Sequence, residues 1–215
     1  MAHLSIRLPK RSRVPALSGF FLAWILVGGC LALTGGCAGI GPARYELHSI
    51  DEPVRVTPNF TLRVYGYDDQ STADIYLTTL TRDQLRPGVD LSDVSGHLIH
   101  IQMFVKPRPG RTPIAPTAFN AAVTHIVIAN GRLGVYRGGG FLLPGGNVGD
   151  LNFGGRLIGG TLRLESRSEG FRDLLGASAL RANFRAEKQH GTAELARQRM
   201  RELIAMTEAV DGEGS

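Results

Sequence analysis

Residues 120–136 read NAAVTHIVIANGRLGVY, two apolar runs on either side of Asn130-Gly131. Asn-Gly is the pair best able to take the positive φ angles of a tight two-residue hairpin turn. Counting outward from that turn pairs Ala129 with Arg132, Ile128 with Leu133, Ile126 with Val135 and His125 with Tyr136. The stretch therefore predicts two antiparallel strands joined by a hairpin.

Working outward, the same two-residue alternation recurs. FTLRVY puts Phe60, Leu62 and Val64 on one face and Thr61, Arg63 and Tyr65 on the other, and DIYLTTL sets Ile75, Leu77 and Thr79 against Asp74, Tyr76 and Thr78. HLIHIQMFV alternates less cleanly, as a strand covered on both faces would. Further along, TLRLESR and ALRANFRAE turn Leu162, Leu164, Leu180, Ala182 and Phe184 inward. Between strands, TRDQLRPG offers Thr81 and Gln84 as a capping box for one helical turn, and EGFRDLLG reads as a short helix or turn closed by Gly176. Helical spacing is convincing only from Thr192 on, where Ala196, Met200, Leu203 and Thr207 form one stripe. About six to eight strands and one terminal helix, without alternating βα units, predict a mainly β chain: an antiparallel β-sandwich or open barrel with a C-terminal α-helix.

The N-terminus has a different character. Residues 1–17 carry Arg7, Lys10, Arg11 and Arg13 and no acid, and residues 19–36 carry no charge. A positive segment followed by an apolar one that fades into small residues is the order of a secretory leader, a signal-peptide helix ahead of the domain. Four of the 24 basic residues and none of the 19 acidic ones lie in it, so the remainder carries 20 − 19 = +1. The sequence pI of about 9.6 is thus a targeting feature and gives no reason to expect nucleic acid as a partner.

Both cysteines lie in ILVGGCLALTGGCAGIGP, residues 25–42, each after two glycines. The segment LTGGC, with Thr34, Gly35 and Gly36 before Cys37, resembles the lipobox of a bacterial lipoprotein leader, and VGGC before Cys30 is the alternative site. A cut at Cys30 would leave the apolar run LALTGGC on the mature chain, whereas a cut at Cys37 removes it, which favours Cys37. The resemblance implies a diacylglycerol-modified thiol, a removed leader and an acylated new N-terminus, with no disulfide because one cysteine remains. Two or more acyl chains anchor firmly, at about 0.8 kcal/mol per buried methylene. By the same resemblance, Ala38 after the cysteine points to the outer membrane, with the domain facing the periplasm. The competing reading is an uncleaved anchor, since residues 19–40 give 22 uncharged positions against the roughly 20 that a spanning helix needs. The expected organisation is a leader over 1–36, a linker over 37–58, a β-sandwich domain over 59–190, a helix over 191–210 and a disordered tail over 211–215.

Chemistry is sparse in the rest. HLIH places His97 and His100 three apart, on opposite faces of a strand, so they cannot chelate one metal together. His100 or His125 meeting a neighbouring strand reads as a hydrogen-bonded structural histidine. Asp68, Asp69 and Asp74 lack the spacing and glycine of a calcium loop, so neither metal nor other cofactor is expected. Ten glycines lie between 138 and 160, but no GK[ST] follows, so they predict tight turns and close strand approach, or a glycine-lined groove. VKPRPGRTPIAPTAF presents Lys106, Arg108 and Arg111 without an acid, a candidate anion-binding loop for an anionic glycan or lipid. Arg197, Arg199 and Arg201 give the terminal helix a basic face broken by Glu202. No nucleophile elbow or zinc spacing appears. The sequence thus points to an envelope protein that binds or scaffolds, with an enzyme built from dispersed polar residues, or an accessory subunit partnered with another envelope protein, as the alternatives.

Overall fold

The computed structural model describes residues 43–107 and 119–211; Cys30, Cys37, Arg108, Arg111, the leader and the tail from 212 lie outside them. The chain is mainly β. Its strands are β1 (Arg44–Ser49), β2 (Arg55–Val56), β3 (Leu62–Gly66), β4 (Ala73–Thr78), β5 (Gly96–Met103), β6 (Ala121–Ala129), β7 (Arg132–Pro144), β8 (Asn152–Arg167) and β9 (Ser178–Lys188), followed by helix α1 (His190–Asp211). They form one nine-stranded sheet in the order β2-β1-β9-β3-β4-β5-β6-β7-β8, with an additional pairing of β9 to β8. That last pairing rolls the seven strands β3 to β9 into a ring, so of the two architectures expected the barrel is the one formed. All pairings are antiparallel except the short β3–β9 contact, Val64 with Glu187 and Tyr65 with Lys188. β1 occupies the rest of that edge of β9, from Arg44 opposite Asn183 to Ser49 opposite Ser178.

The hairpin register is the one counted from the sequence, including Ala129 with Arg132 and His125 with Tyr136. Asn130 has φ 50° and Gly131 φ 75°, the left-handed values that select Asn-Gly there. The glycine-rich stretch is no phosphate loop: it builds the long β7–β8 hairpin, which carries register shifts at Val135/Tyr136 and Gly139/Phe141. At Gly138 a Cβ would stand 1.9 Å from the Thr161 carbonyl oxygen, so only glycine allows the strands to approach there.

Two cores result. Inside the ring, Tyr65, Ile75, Ile99, Tyr136, Phe153 and Leu157 are among the side chains of one buried cluster. Outside it, Val64, Tyr76, Leu98 and Val135 are covered by Ala196, Met200 and Leu203 of α1 and by Leu80, Leu85 and Leu91 of the 79–95 connection. β3 and β4 were expected to be half-buried; instead Val64 and Tyr65 are both nearly inaccessible and all six residues of β4 are buried. On β4 the helix and connection close over the Tyr76 face that alternation alone would leave to solvent, whereas on β3 the expected faces are inverted: Tyr65 points into the ring and Val64 lies under α1.

Local signals behave as their chemistry dictates. Thr81 N–H donates to Gln84 Oε1 at 2.9 Å and Gln84 N–H to Thr81 Oγ1 at 3.3 Å, the two reciprocal bonds of a capping box. Residues 169–176 form turns rather than a helix, with Gly176 at φ 55°.

Two expectations fail. β1 lies inside the stretch read as a linker, and its Tyr45 and Leu47 are buried in the inner core; the strand was hidden because RYELHS is polar at every outward position. The basic face of α1 also dissolves. Arg199 is 1% exposed; it donates through Nη1 to Glu202 Oε2 at 2.7 Å and through Nη2 to the Val89 carbonyl. Gly88 N–H also donates to Glu202, at 2.9 Å. Arg199 therefore pins the 79–95 connection to α1, its aliphatic stem covering apolar surface.

Candidate functional site

Of the expected site residues, only Lys106 is described, and its Nζ donates to Asn147 Oδ1 at 3.1 Å. The proposed lipid cysteines and Arg108 and Arg111 lie outside the described residues. The polar groups that the fold does bring together sit on the two faces of β5.

On the inner face, His97 is offset by two from His125 across the β5–β6 ladder, since His97 faces Val127 and Ile99 faces His125. His97 Nδ1 lies 3.1 Å from His125 Nε2, and His125 Nδ1 lies 3.0 Å from the Tyr45 hydroxyl. The ends fix the direction of this chain. The Tyr45 hydroxyl has no other partner among the described residues, so it donates to His125 Nδ1. His125 then carries its proton on Nε2 and donates to His97 Nδ1, leaving His97 Nε2–H at the half-buried end. The reverse arrangement would bury an unpaired hydroxyl hydrogen, at a cost of about 1–3 kcal/mol. Burial pushes the His97 imidazole down to about 4 and holds His125 well below its usual value, helped by His97. Burial also raises Tyr45. All three groups are therefore neutral near pH 7.

On the outer face, His100 Nε2 lies 2.7 Å from Asp74 Oδ1, and Arg197 Nη2 lies 3.4 Å from Asp74 Oδ2. The Tyr76 ring stacks on His100 with centroids 4.6 Å apart and planes 5° from parallel. Burial pushes the Asp74 carboxyl up, but the His100 hydrogen bond and the His100 and Arg197 charges outweigh it and leave the group below its usual value. Burial drives the Tyr76 hydroxyl up to about 12 against the pull of Arg197.

These groups line an open depression of about 320 Å³ with Asp68, Gln102 and Thr124. An imidazole oriented by a carboxylate is the arrangement of a general base. Yet the hydroxyl opposite it, Thr124, has no hydrogen bond to His100 among the described residues, and no serine or cysteine lines the depression. What the cluster does is tie α1 to β4 through the Asp74–Arg197 ion pair, with His100 bonded to the same carboxylate.

The acidic trio does not converge. Asp69 accepts from the Ser71 and Thr72 amides as a turn cap, Asp74 serves His100, and among the described residues no group of three or more metal-ligating side chains forms. A glycine-lined groove does exist, about 590 Å³ in volume, with Gly145, Gly146, Gly154 and Gly155 beside Arg156, Asn183 and Arg185.

Sequence reasoning missed Tyr45, because it lay in the supposed linker, and missed Arg197 as the partner of Asp74. No protein-family model, curated protein or solved structure matches the chain.

Proposed function

We propose that this chain is a lipid-anchored protein of a bacterial cell envelope, held through Cys37 at the outer membrane and facing the periplasm, whose β-barrel binds or scaffolds through its outer surface. The observation that carries the reading is the LTGGC motif at the end of an uncharged apolar run, with only six residues between Cys37 and the start of β1 at Arg44. The filled interior supports the outer surface as the working one. Tyr65, Tyr136 and Phe153 are each at most 1% exposed inside the ring, so a ligand there would have to displace core side chains.

The accessory-subunit reading keeps one specific support: Phe104, Val105 and Phe119 are 45%, 48% and 51% exposed on either side of the proline-rich connection. An apolar group of that kind is a common mark of a protein interface.

Labelled palmitate fed to cells making the parent, Cys37→Ser or Cys30→Ser protein tests the anchor. The label is expected in the parent and Cys30→Ser and absent from Cys37→Ser. Label absent from all three would remove the lipoprotein reading, and loss only in Cys30→Ser would move the anchor to that residue.

A further inference from the structure

The outer face of the sheet where β1, β9 and β8 run side by side has an uneven charge. Asn183 of β9 faces Arg44 of β1 on one side and Arg156 of β8 on the other. Arg181 and Arg185 stand two residues before and after it on the same face of β9, since side chains alternate along a strand. Directly opposed side chains in a ladder have Cβ atoms about 5 Å apart and a strand rises about 3.3 Å per residue, so the four arginines surround one asparagine within a patch about 10–13 Å across.

None of the four makes an ion pair among the described residues. Three acids border the patch: Glu46 stands opposite Arg181 in the ladder but pairs with Arg55 at 3.3 Å, and Asp150 lines the groove beside Arg156 and Arg185 but accepts from the Asn147 amide at 3.1 Å. Glu187 accepts from Gln189 at 2.9 Å. Four unpaired cations clustered on a region whose net charge is +1 beyond residue 36 make an asymmetric field rather than a generally basic surface. Arginine is also the side chain whose planar fork matches phosphate oxygens.

Two further observations say what covers this face. Arg44 opens β1, and Cys37 stands seven positions before it, a length of chain that reaches at most about 25 Å when extended. An acyl group on Cys37 would therefore keep the start of β1 within about 25 Å of the bilayer it enters, close enough for the neighbouring face to reach it. Within the face, Ile158 projects from β8 next to the Gly159 kink at φ 60° and is 36% exposed. An apolar side chain among arginines suits the boundary between headgroups and acyl chains.

We infer that the outer face of β1, β8 and β9 around Asn183 docks on an anionic phospholipid surface, with Arg44, Arg156, Arg181 and Arg185 binding lipid phosphates. The inference rests on the anchored reading for its tether, and deepens it by setting how the barrel lies on the membrane.

The test uses the full protein, purified in detergent with the anchor it carries and reconstituted into vesicles of phosphatidylcholine alone or with added phosphatidylglycerol. Arginine side chains are modified with phenylglyoxal and each site is followed by mass spectrometry. With phosphatidylglycerol, modification at the four arginines is expected to slow at least about fivefold, the factor one arginine is worth at an anionic surface, while Arg82 on the far connection is unchanged. About 1 M salt, where the screening length is about 3 Å, should restore the rate. The double variant R156Q/R185Q should weaken the protection of Arg181. Equal rates in the two vesicles would overturn the inference, as would protection by added heparin on neutral vesicles without protection by phosphatidylglycerol, which would assign the face to an anionic polysaccharide. The palmitate label of the same preparation separates the two readings: protection without label leaves the face and removes the tether, and label without protection leaves the anchor and removes the face.

Discussion

His97 and His100 stand three residues apart on one strand, yet one lies in the inner core and the other on the outer face. The inner imidazole is joined to His125 and through it to Tyr45 by a chain of neutral groups. The outer one is held by the Asp74 carboxylate beside the Arg197 guanidinium. The difference is one of solvent and charge. Among the described residues no carboxylate pairs with His97 or His125, so the two stay neutral and pass hydrogen bonds along; outside, a carboxylate can remain ionised because a cation and water share its field. The interior is organised for packing, and charge-based binding is left to the outer surface.

The largest effect should come from opening the interior. Phe153 is fully buried inside the ring, and Phe153→Ala should cost about 3–5 kcal/mol, read as a fall in the urea midpoint. On the outer sheet, Arg181→Gln should move the same midpoint by no more than about 0.5 kcal/mol. Equal losses at the two positions would erase the distinction between inside and outside.

Acid should act on the inner histidines next. Their folded pKa values lie below the ordinary 6.5, His97 at about 4, so between these values the unfolded chain binds more protons than the folded one. Stability therefore falls as the pH drops through that window, by about 3 kcal/mol from His97 alone. Asp74, Asp173 and Glu202 are also held below their usual values, and their contribution is lost only at lower pH. Urea titrations at pH 7, 5.5 and 4.5 would show the slope, and a flat profile would mean that the inner imidazoles are hydrated.

Tyr45→Phe should cost about 1–3 kcal/mol, because it leaves His125 Nδ1 buried without its donor. The same substitution would be silent if β1 were the loose tether that its sequence suggests. A smaller effect than those inside the ring sits on the outer face. Asp74→Asn removes the charge that ties α1 to β4; the carboxylate is buried but its partner Arg197 is 39% exposed, so the loss should be about 1–2 kcal/mol, with faster amide exchange in α1.

Much of this architecture was legible in short-range pattern. The Asn130-Gly131 turn set the β6–β7 register residue by residue, Thr81 and Gln84 closed a capping box, and Ala196, Met200, Leu203 and Thr207 marked the buried stripe of α1. Each of those signals is local, and local chemistry decided it. The misses are long-range. β1 is stabilised by β9, 129 to 139 positions away (Ser49 with Ser178 to Arg44 with Asn183), and its alternation is short enough to pass for a charged linker. Barrel closure depends on the parallel β3–β9 contact, which no turn announces. Arg199 reads as part of a polar helix face until the 79–95 connection folds over it. The pairing of His97 with His125 follows from a register that could be counted for β6–β7 but not for β5–β6, whose connection lacks a turn signal. The arginine patch was illegible for the same reason, since its members come from three strands that meet only when the sheet closes.

The most direct measurement is the intact mass of the protein extracted from membranes, for the parent and for Cys37→Ser. A parent mass equal to the chain from Cys37 plus a diacylglycerol and an acyl group, absent in the variant, is the predicted result and fixes the barrel beside the bilayer. A full-length mass in both would contradict it, returning Cys30 and Cys37 to an uncleaved apolar segment.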